Sequence, residues 1–166
     1  MLPVLCTHTW TWMVLVVLYV SDDLKPPWII LQIFRHVIIK IPGLSSWPVA
    51  PSKDIQARCF TDPEALAAEQ SNPLNYNSKP RLASAYCLAM QGPEWMESRL
   101  QDVKVPFLIV HGDADVVTDP TVSRTLYDVA CSPDKTLEMV KGAKHADCFW
   151  RQETYDLVER WIKKRV

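Results

Sequence analysis

Three aspartates, Asp113, Asp115 and Asp119, stand within the stretch HGDADVVTDP, and His145 follows in GAKHADC, thirty residues after Asp115. An aspartate that fixes the tautomer of a histidine and stabilises its imidazolium is the supporting half of a Ser-His-Asp relay for attack on an acyl carbon. The same carboxylates have other uses. Asp119 precedes Pro120 and suits a helix N-cap with proline at the first helical position. The run DADVV also has the D-x-D-x-[TV] shape of magnesium-dependent phosphate chemistry, in which the first aspartate is the nucleophile and the metal bridges carboxylates and phosphate. Against that use, His111 and Gly112 separate Asp113 from the preceding apolar run, and little chain follows it. Asp115 is the candidate acid of a relay, with Asp113 the alternative; His145 is the candidate base, with an ordinary loop histidine as the plain alternative.

The elements around these residues give them a reason to meet. VPFLIVHG reads as a strand, DPTVSRTLYDVAC as a helix, KTLEMVKG as a strand and TYDLVERWIKKRV as a helix with Tyr155, Val158, Trp161 and Ile162 on one face. Strand, helix, strand, helix implies parallel strands joined by crossovers, with ligand-binding groups in the loops at their carboxyl ends. Asp115 and His145 each follow such a strand. MVLVVLYV, residues 13–20, reads as a third, buried strand. It lacks the basic flank and cleavage site of a signal peptide and falls short of the ~20 residues that span a bilayer.

Residues 22–100 read as a helical insertion before residues 101–166 resume the alternation. KPPWIILQIFRHVIIKIPG carries Gln32, Arg35, His36 and Lys40 on one narrow polar stripe, and its apolar remainder is expected to pack in the core or form a greasy lid. Thr61 stands three residues before Glu64, a capping-box spacing. RLASAYCLAMQG is read as a helix stopped by Gly92 and Pro93, and EWMESRLQDV as the next. Trp28, Trp47 and Trp95 are expected to pack within the insertion rather than line a pocket.

Composition narrows the classes. With 166 residues and 48% hydrophobic content the chain can bury a core. A net charge of -1 gives no concentrated basic surface, so nucleic acid is not an expected partner. The five cysteines are odd in number and never spaced C-x-x-C, which points to free thiols in a reducing, cytoplasmic setting rather than to disulfides or a metal ribbon. No metal and no cofactor is expected.

Over VPFLIVHGDADVVTDPTVSRTLYDVACSPDKTLEMVKGAKH, DLKPPWII and NPLNYNSKPRLASA the chain resembles the plant monoacylglycerol lipase-like branch of the α/β-hydrolases, which includes lysophospholipase-like proteins and caffeoylshikimate esterases. The likeness runs from about residue 13 to the C-terminus. It implies an α/β fold, here a partial α/β-hydrolase sheet with a helical cap at residues 22–100, and hydrolysis of an acyl ester (monoacylglycerol, lysophospholipid or phenolic ester). It also implies Asp115 and His145 as acid and base, in the chain order serine, acid, histidine. Relatives usually carry a bulky apolar residue where this chain has Lys144.

What the resemblance requires and the chain does not contain is a serine in a G-x-S-x-G elbow. Gly43, Gly92, Gly112 and Gly142 are the only glycines and none supplies it; GLSSW fails at its last position. Ser45, Ser46 and Ser84 do not sit on a strand-to-helix elbow. The elbow is expected upstream of Met1, which reads the chain as the C-terminal part of such a hydrolase through truncation, alternative splicing or an incomplete gene model, inactive by itself. A non-catalytic remnant with a binding or regulatory role is the alternative. Two contacts are expected of it: a membrane surface touched by the cap, and self-association through the unpaired edge of the first strand.

Overall fold

The computed structural model describes residues 13–15, 25, 27–37, 40–41, 43–48, 55–75 and 79–165. A parallel sheet is built from β1 (Met13–Leu15), β2 (Phe107–Gly112) and β3 (Lys135–Val140), in the order β1-β2-β3. The register pairs Met13 with Phe107 and His111 with Met139. The central strand, FLIVHG, is buried along its whole length, as a strand flanked on both edges and covered on both faces must be. Its alternate residues divide between two helices. Phe107 and Ile109 pack with Leu126 and Ala130 of α6 (Pro120–Val129), while Leu108 and Val110 meet Trp161 of α7 (Gln152–Lys163). Burying each such large side chain contributes about 1.5–3 kcal/mol, so β2 anchors this half of the molecule.

Local chemistry fastens both helices. The Asp119 carboxylate accepts from Thr121 N–H at 2.8 Å with Pro120 in the first turn of α6, the expected cap. Beyond α7, Arg165 pairs with Asp134 through Nε and Nη2 at 2.8 and 2.6 Å, and its guanidinium lies 3.6 Å from the Trp161 ring centroid. The chain end is thereby tied to the start of β3. On the face that Tyr155 shares with Val158, Trp161 and Ile162, Trp161 is the buried residue; the Tyr155 ring is exposed, and its hydroxyl donates to the Phe149 carbonyl.

Between β1 and β2 run α1 (Trp28–His36), α2 (Gln56–Cys59), α3 (Pro63–Ser71), α4 (Leu82–Tyr86), a π-helical stretch at Cys87–Gln91 and α5 (Gly92–Glu97). Of MVLVVLYV, residues 16–20 lie outside the described residues. Three expectations are corrected in the insertion. First, the core-packing alternative fails for α1, which buries no residue: Trp28, Ile29, Ile33 and the C-cap Val37 are exposed, Leu31, Gln32 and Phe34 are half-buried, and Lys40 falls beyond the helix. Trp47 and Trp95 are exposed as well, so none of the three tryptophans packs as expected.

Second, Thr61 does not cap α3. Asp62 does, accepting from Glu64 N–H at 2.9 Å, because Thr61 is engaged by Asp147 from the far end of the sequence. Third, Gly92 and Pro93 do not stop a helix. Gly92 N–H donates to the Cys87 carbonyl five residues back, and this wide π turn accommodates the missing N–H of Pro93 so that helix continues into α5.

Candidate functional site

Because β2 and β3 are adjacent and parallel, the loops leaving their carboxyl ends emerge side by side. At their seam Gly112 lies flat against the fully buried Ala143, whose carbonyl a Cβ at position 112 would overlap. Ala114 N–H donates to that same carbonyl at 3.2 Å, and Gly142 supplies the left-handed turn (φ 65°) that the second loop needs. Asp113 closes the seam by accepting from Gly142 N–H at 2.6 Å.

Asp115, 8% exposed, is saturated with donors. Its Oδ1 accepts from Val117 N–H at 2.7 Å and Thr118 N–H at 2.9 Å, the tight turn that a short acidic side chain makes with amides two and three residues on. Its Oδ2 accepts from Thr118 Oγ1 at 2.5 Å, His145 Nδ1 at 2.8 Å and His111 Nε2 at 3.2 Å. Burial disfavours the charge, but the hydrogen bonds from His111, His145 and Thr118 outweigh it together and hold the carboxyl well below the usual carboxylate range.

An ionised carboxylate only accepts, so it fixes the neighbouring protons. His145 carries its proton on Nδ1 and His111 on Nε2, which leaves His111 Nδ1 to accept from the buried Ser123 hydroxyl at 2.6 Å. His145 Nε2 has no hydrogen bond among the described residues. His145 borders a cleft of about 610 Å³ with largely apolar walls that include Val110, Phe149, Val158 and Ile162. An imidazole with one nitrogen held by a carboxylate and the other, among the described residues, open beside a cleft is arranged to take a proton from a group placed there.

The loop bearing His145 is held by a second buried carboxylate. Asp147 accepts from Thr61 N–H at 2.9 Å, Thr61 Oγ1 at 2.6 Å and Lys144 N–H at 2.9 Å. Burial raises its pKa, but these three bonds and the nearby Arg151 charge lower it overall. Cys59 and Cys148 are poor nucleophiles by contrast. Burial, then the Asp115 and Asp147 charges, pushes the Cys59 thiol up to about 11 and raises that of Cys148 in the same sense.

The structure thus brings Asp115 and His145 into contact and keeps Asp113 apart, on the Gly142 amide. That separation overturns the magnesium-phosphatase reading of DADVV, because the two carboxylates do not converge on a common point: each is consumed by different backbone amides. Ser45 and Ser46 lie in a 3-10 turn and Ser84 on α4, none of them lining the cleft. His36 is exposed at the end of α1, and His8 lies outside the described residues. Sequence reasoning missed His111, Thr118, Ser123, Thr61 and Asp147. Only Thr118 carried a local signal, the spacing D-x-x-T that favours a hydroxyl and amide folding back onto an aspartate.

Comparison with known proteins agrees with this architecture. The family model described as "Serine aminopeptidase, S33" matches residues 8–149, starting ahead of the residue-13 limit read from the sequence. The caffeoylshikimate esterase of Arabidopsis thaliana is 32% identical over 128 residues, covering 76% of this chain and 37% of that protein. The human monoglyceride lipase is 32% identical over 111 residues, covering 63% and 33% respectively. The chain therefore spans about a third of the length of the curated relatives it matches. The crystal structure of a Paleococcus ferrophilus monoacylglycerol lipase superposes with a TM-score of 0.73 at 24% identity, over 94% of this chain and 60% of that one, which shows a shared fold. With a parallel sheet of this order and a family match over most of its length, the chain belongs to the α/β-hydrolases, in the serine aminopeptidase, S33 family, on its monoacylglycerol lipase-like and caffeoylshikimate esterase-like side.

Proposed function

We propose that these residues provide the acid and base of a serine-dependent carboxylic ester hydrolase acting on an acyl ester. The observation that carries this reading is the 2.8 Å bond from His145 Nδ1 to an Asp115 carboxylate held ionised, with His145 beside the cleft. In the working enzyme a serine hydroxyl attacks the ester carbonyl and His145 Nε2 takes its proton. Asp115 stabilises the imidazolium, and His145 then returns the proton to the leaving alcohol, so that an acyl-enzyme forms and water later repeats the cycle. The helices between β1 and β2 act as the cap over the substrate.

No serine of the 166 residues is flanked as G-x-S-x-G, so these residues by themselves are not expected to form an acyl-enzyme. The test is labelling with a fluorophosphonate probe. The 166-residue chain should not label; a polypeptide carrying an in-frame G-x-S-x-G upstream should label, and lose labelling in His145→Ala. Labelling of the 166-residue chain at a serine of its own, or labelling of the longer polypeptide indifferent to His145, would overturn the reading.

The exposed Trp28, Ile29, Ile33 and Val37 of α1 form an apolar surface suited to the lipid interface, where tryptophan and aliphatic side chains embed readily. Among the described residues no helix is long and apolar enough to cross a membrane. Among the described residues β1 lies at an edge of the sheet, a place for pairing with a second copy. Cys59, Cys87, Cys131 and Cys148 are free thiols, which supports a reducing, cytoplasmic location.

A further inference from the structure

We propose that Asp147 and Thr61 form a latch through which the helical insertion sets the position of the His145 ring, Asp147 being a positioning residue for that histidine. The inference deepens the reading of His145 as general base and rests on it. Its basis is an asymmetry in how the two partners are held. Asp115 is fixed from the sheet side, by the amides of Val117 and Thr118 in its own loop. His145 is fixed from the other side, because both of its chain neighbours are bonded to Cys59–Thr61, the segment joining α2 to α3. Lys144 Nζ donates to the Phe60 carbonyl at 2.9 Å and Ala146 N–H donates to the Cys59 carbonyl at 2.9 Å.

Asp147 completes the junction by accepting from both the amide and the hydroxyl of Thr61, at 2.9 and 2.6 Å, while its Oδ2 also accepts from Lys144 N–H. One buried carboxylate therefore binds the insertion and the backbone just before His145 at once. A hydrogen bond of 2.8 Å weakens steeply when its partners move apart by even a few tenths of an ångström. Releasing Thr61 removes the side-chain part of this junction and loosens the loop around His145, which the bonds to Cys59 and Phe60 still tether, while leaving Asp115 in place, so the contact between them is what should suffer. Movement of the insertion is thereby linked to the competence of the base.

The tautomer of His145 reads this directly and needs no catalysis. Free imidazole side chains favour the proton on Nε2; the Asp115 contact holds it on Nδ1. The experiment records 15N spectra of the histidine-labelled chain at about pH 8, above the ordinary histidine range, in solution or as sedimented protein, with the His145 signal assigned by substitution. Thr61→Val, which removes one hydrogen bond, should lower the ratio of Nδ1–H to Nε2–H at His145 by about five-fold, and Asp147→Ala, which removes three, should lower it by at least as much. Thr61→Ser should restore it.

Asp134→Asn, which breaks the Arg165 pair at the opposite end of β3, is the control for general destabilisation and should leave the ratio unchanged. Thr61→Val decides the matter if Asp147→Ala does not fold. An unchanged ratio in folded Thr61→Val overturns the latch, as does an equal fall in Asp134→Asn. If the ratio responds to Thr61 while the elbow-bearing polypeptide shows no acyl transfer, the latch stands and the esterase reading falls.

Discussion

The two halves of the molecule use the same helix-starting device to different ends. Asp62 opens α3 and Asp119 opens α6, each accepting an amide two residues on and each followed by proline. Yet α3 buries only Ala65, whereas α6 seats Leu126 against Phe107 and Ile109 and sends the buried Ser123 to His111. Residues 105–165 are held by interlocked core and polar networks around a fully buried strand; the insertion is a set of short helices that bury Leu82, Tyr86 and Met90 but leave Trp28, Ile29, Trp47 and Trp95 outside. Local capping starts a helix, and tertiary burial decides how much of the whole fold depends on it.

That contrast breaks first at Asp115. Asp115→Ala leaves His111, His145, Thr118 and two amides without their acceptor, and should cost about 3–5 kcal/mol in urea unfolding, the range for stripping one partner from a buried charged network. A cost below ~1 kcal/mol would show that the network is ornamental to folding. Next comes Gly112→Ala. Its new Cβ must displace the Ala143 backbone, so we expect a loss of about 1–3 kcal/mol together with a weakened Asp115 to His145 contact.

Acid provides the third test. Asp115 and Asp147 both titrate lower folded than unfolded, where the ordinary aspartate value is about 3.9. The stabilisation they provide is therefore complete above about pH 5 and lost as pH falls below that, toward their folded values. Denaturation midpoints should drop between pH 5 and pH 3, and less so in Asp115→Asn; a midpoint indifferent to pH over that range contradicts the assignment.

The two caps come next. Asp119→Ala should cost about 1 kcal/mol of global stability, whereas Asp62→Ala should leave the global value nearly unchanged and increase hydrogen exchange in α3 alone. Equal global losses would mean that the insertion unfolds with the sheet. The smallest stability effect belongs to α1: Trp28→Ser with Ile33→Ser should stay within about 0.5 kcal/mol, as exposed substitutions do. The same pair should lower co-sedimentation with anionic lipid vesicles if α1 touches membranes.

What was legible in the sequence followed from short-range rules and from strand adjacency. β2, β3 and α6 were readable because apolar runs, Asp119 and Pro120 act locally. The meeting of Asp115 and His145 followed from parallel neighbours ending together. The failures share one cause, a long-range partner or the lack of one. Thr61 has the spacing of a cap, yet Asp147, 86 residues away, takes its hydroxyl. The apolar residues of α1 look like core, but Leu31 and Phe34 are only half-buried and Trp28, Ile29 and Ile33 stay exposed. His111 reads as part of a strand, and nothing local shows that Ser123 and Asp115 claim its two nitrogens.

The saturated carboxylate of Asp115 also bears on how such a chain changes over generations. Of its five hydrogen bonds only the one to His145 serves the proposed relay; three of the others close its own turn and the fourth ties that turn to His111 of β2. A lineage that gave up catalysis would still suffer for losing this aspartate, because folding alone would select against the change. His145, partly open to the cleft, has fewer such ties and would be the first of the pair to drift.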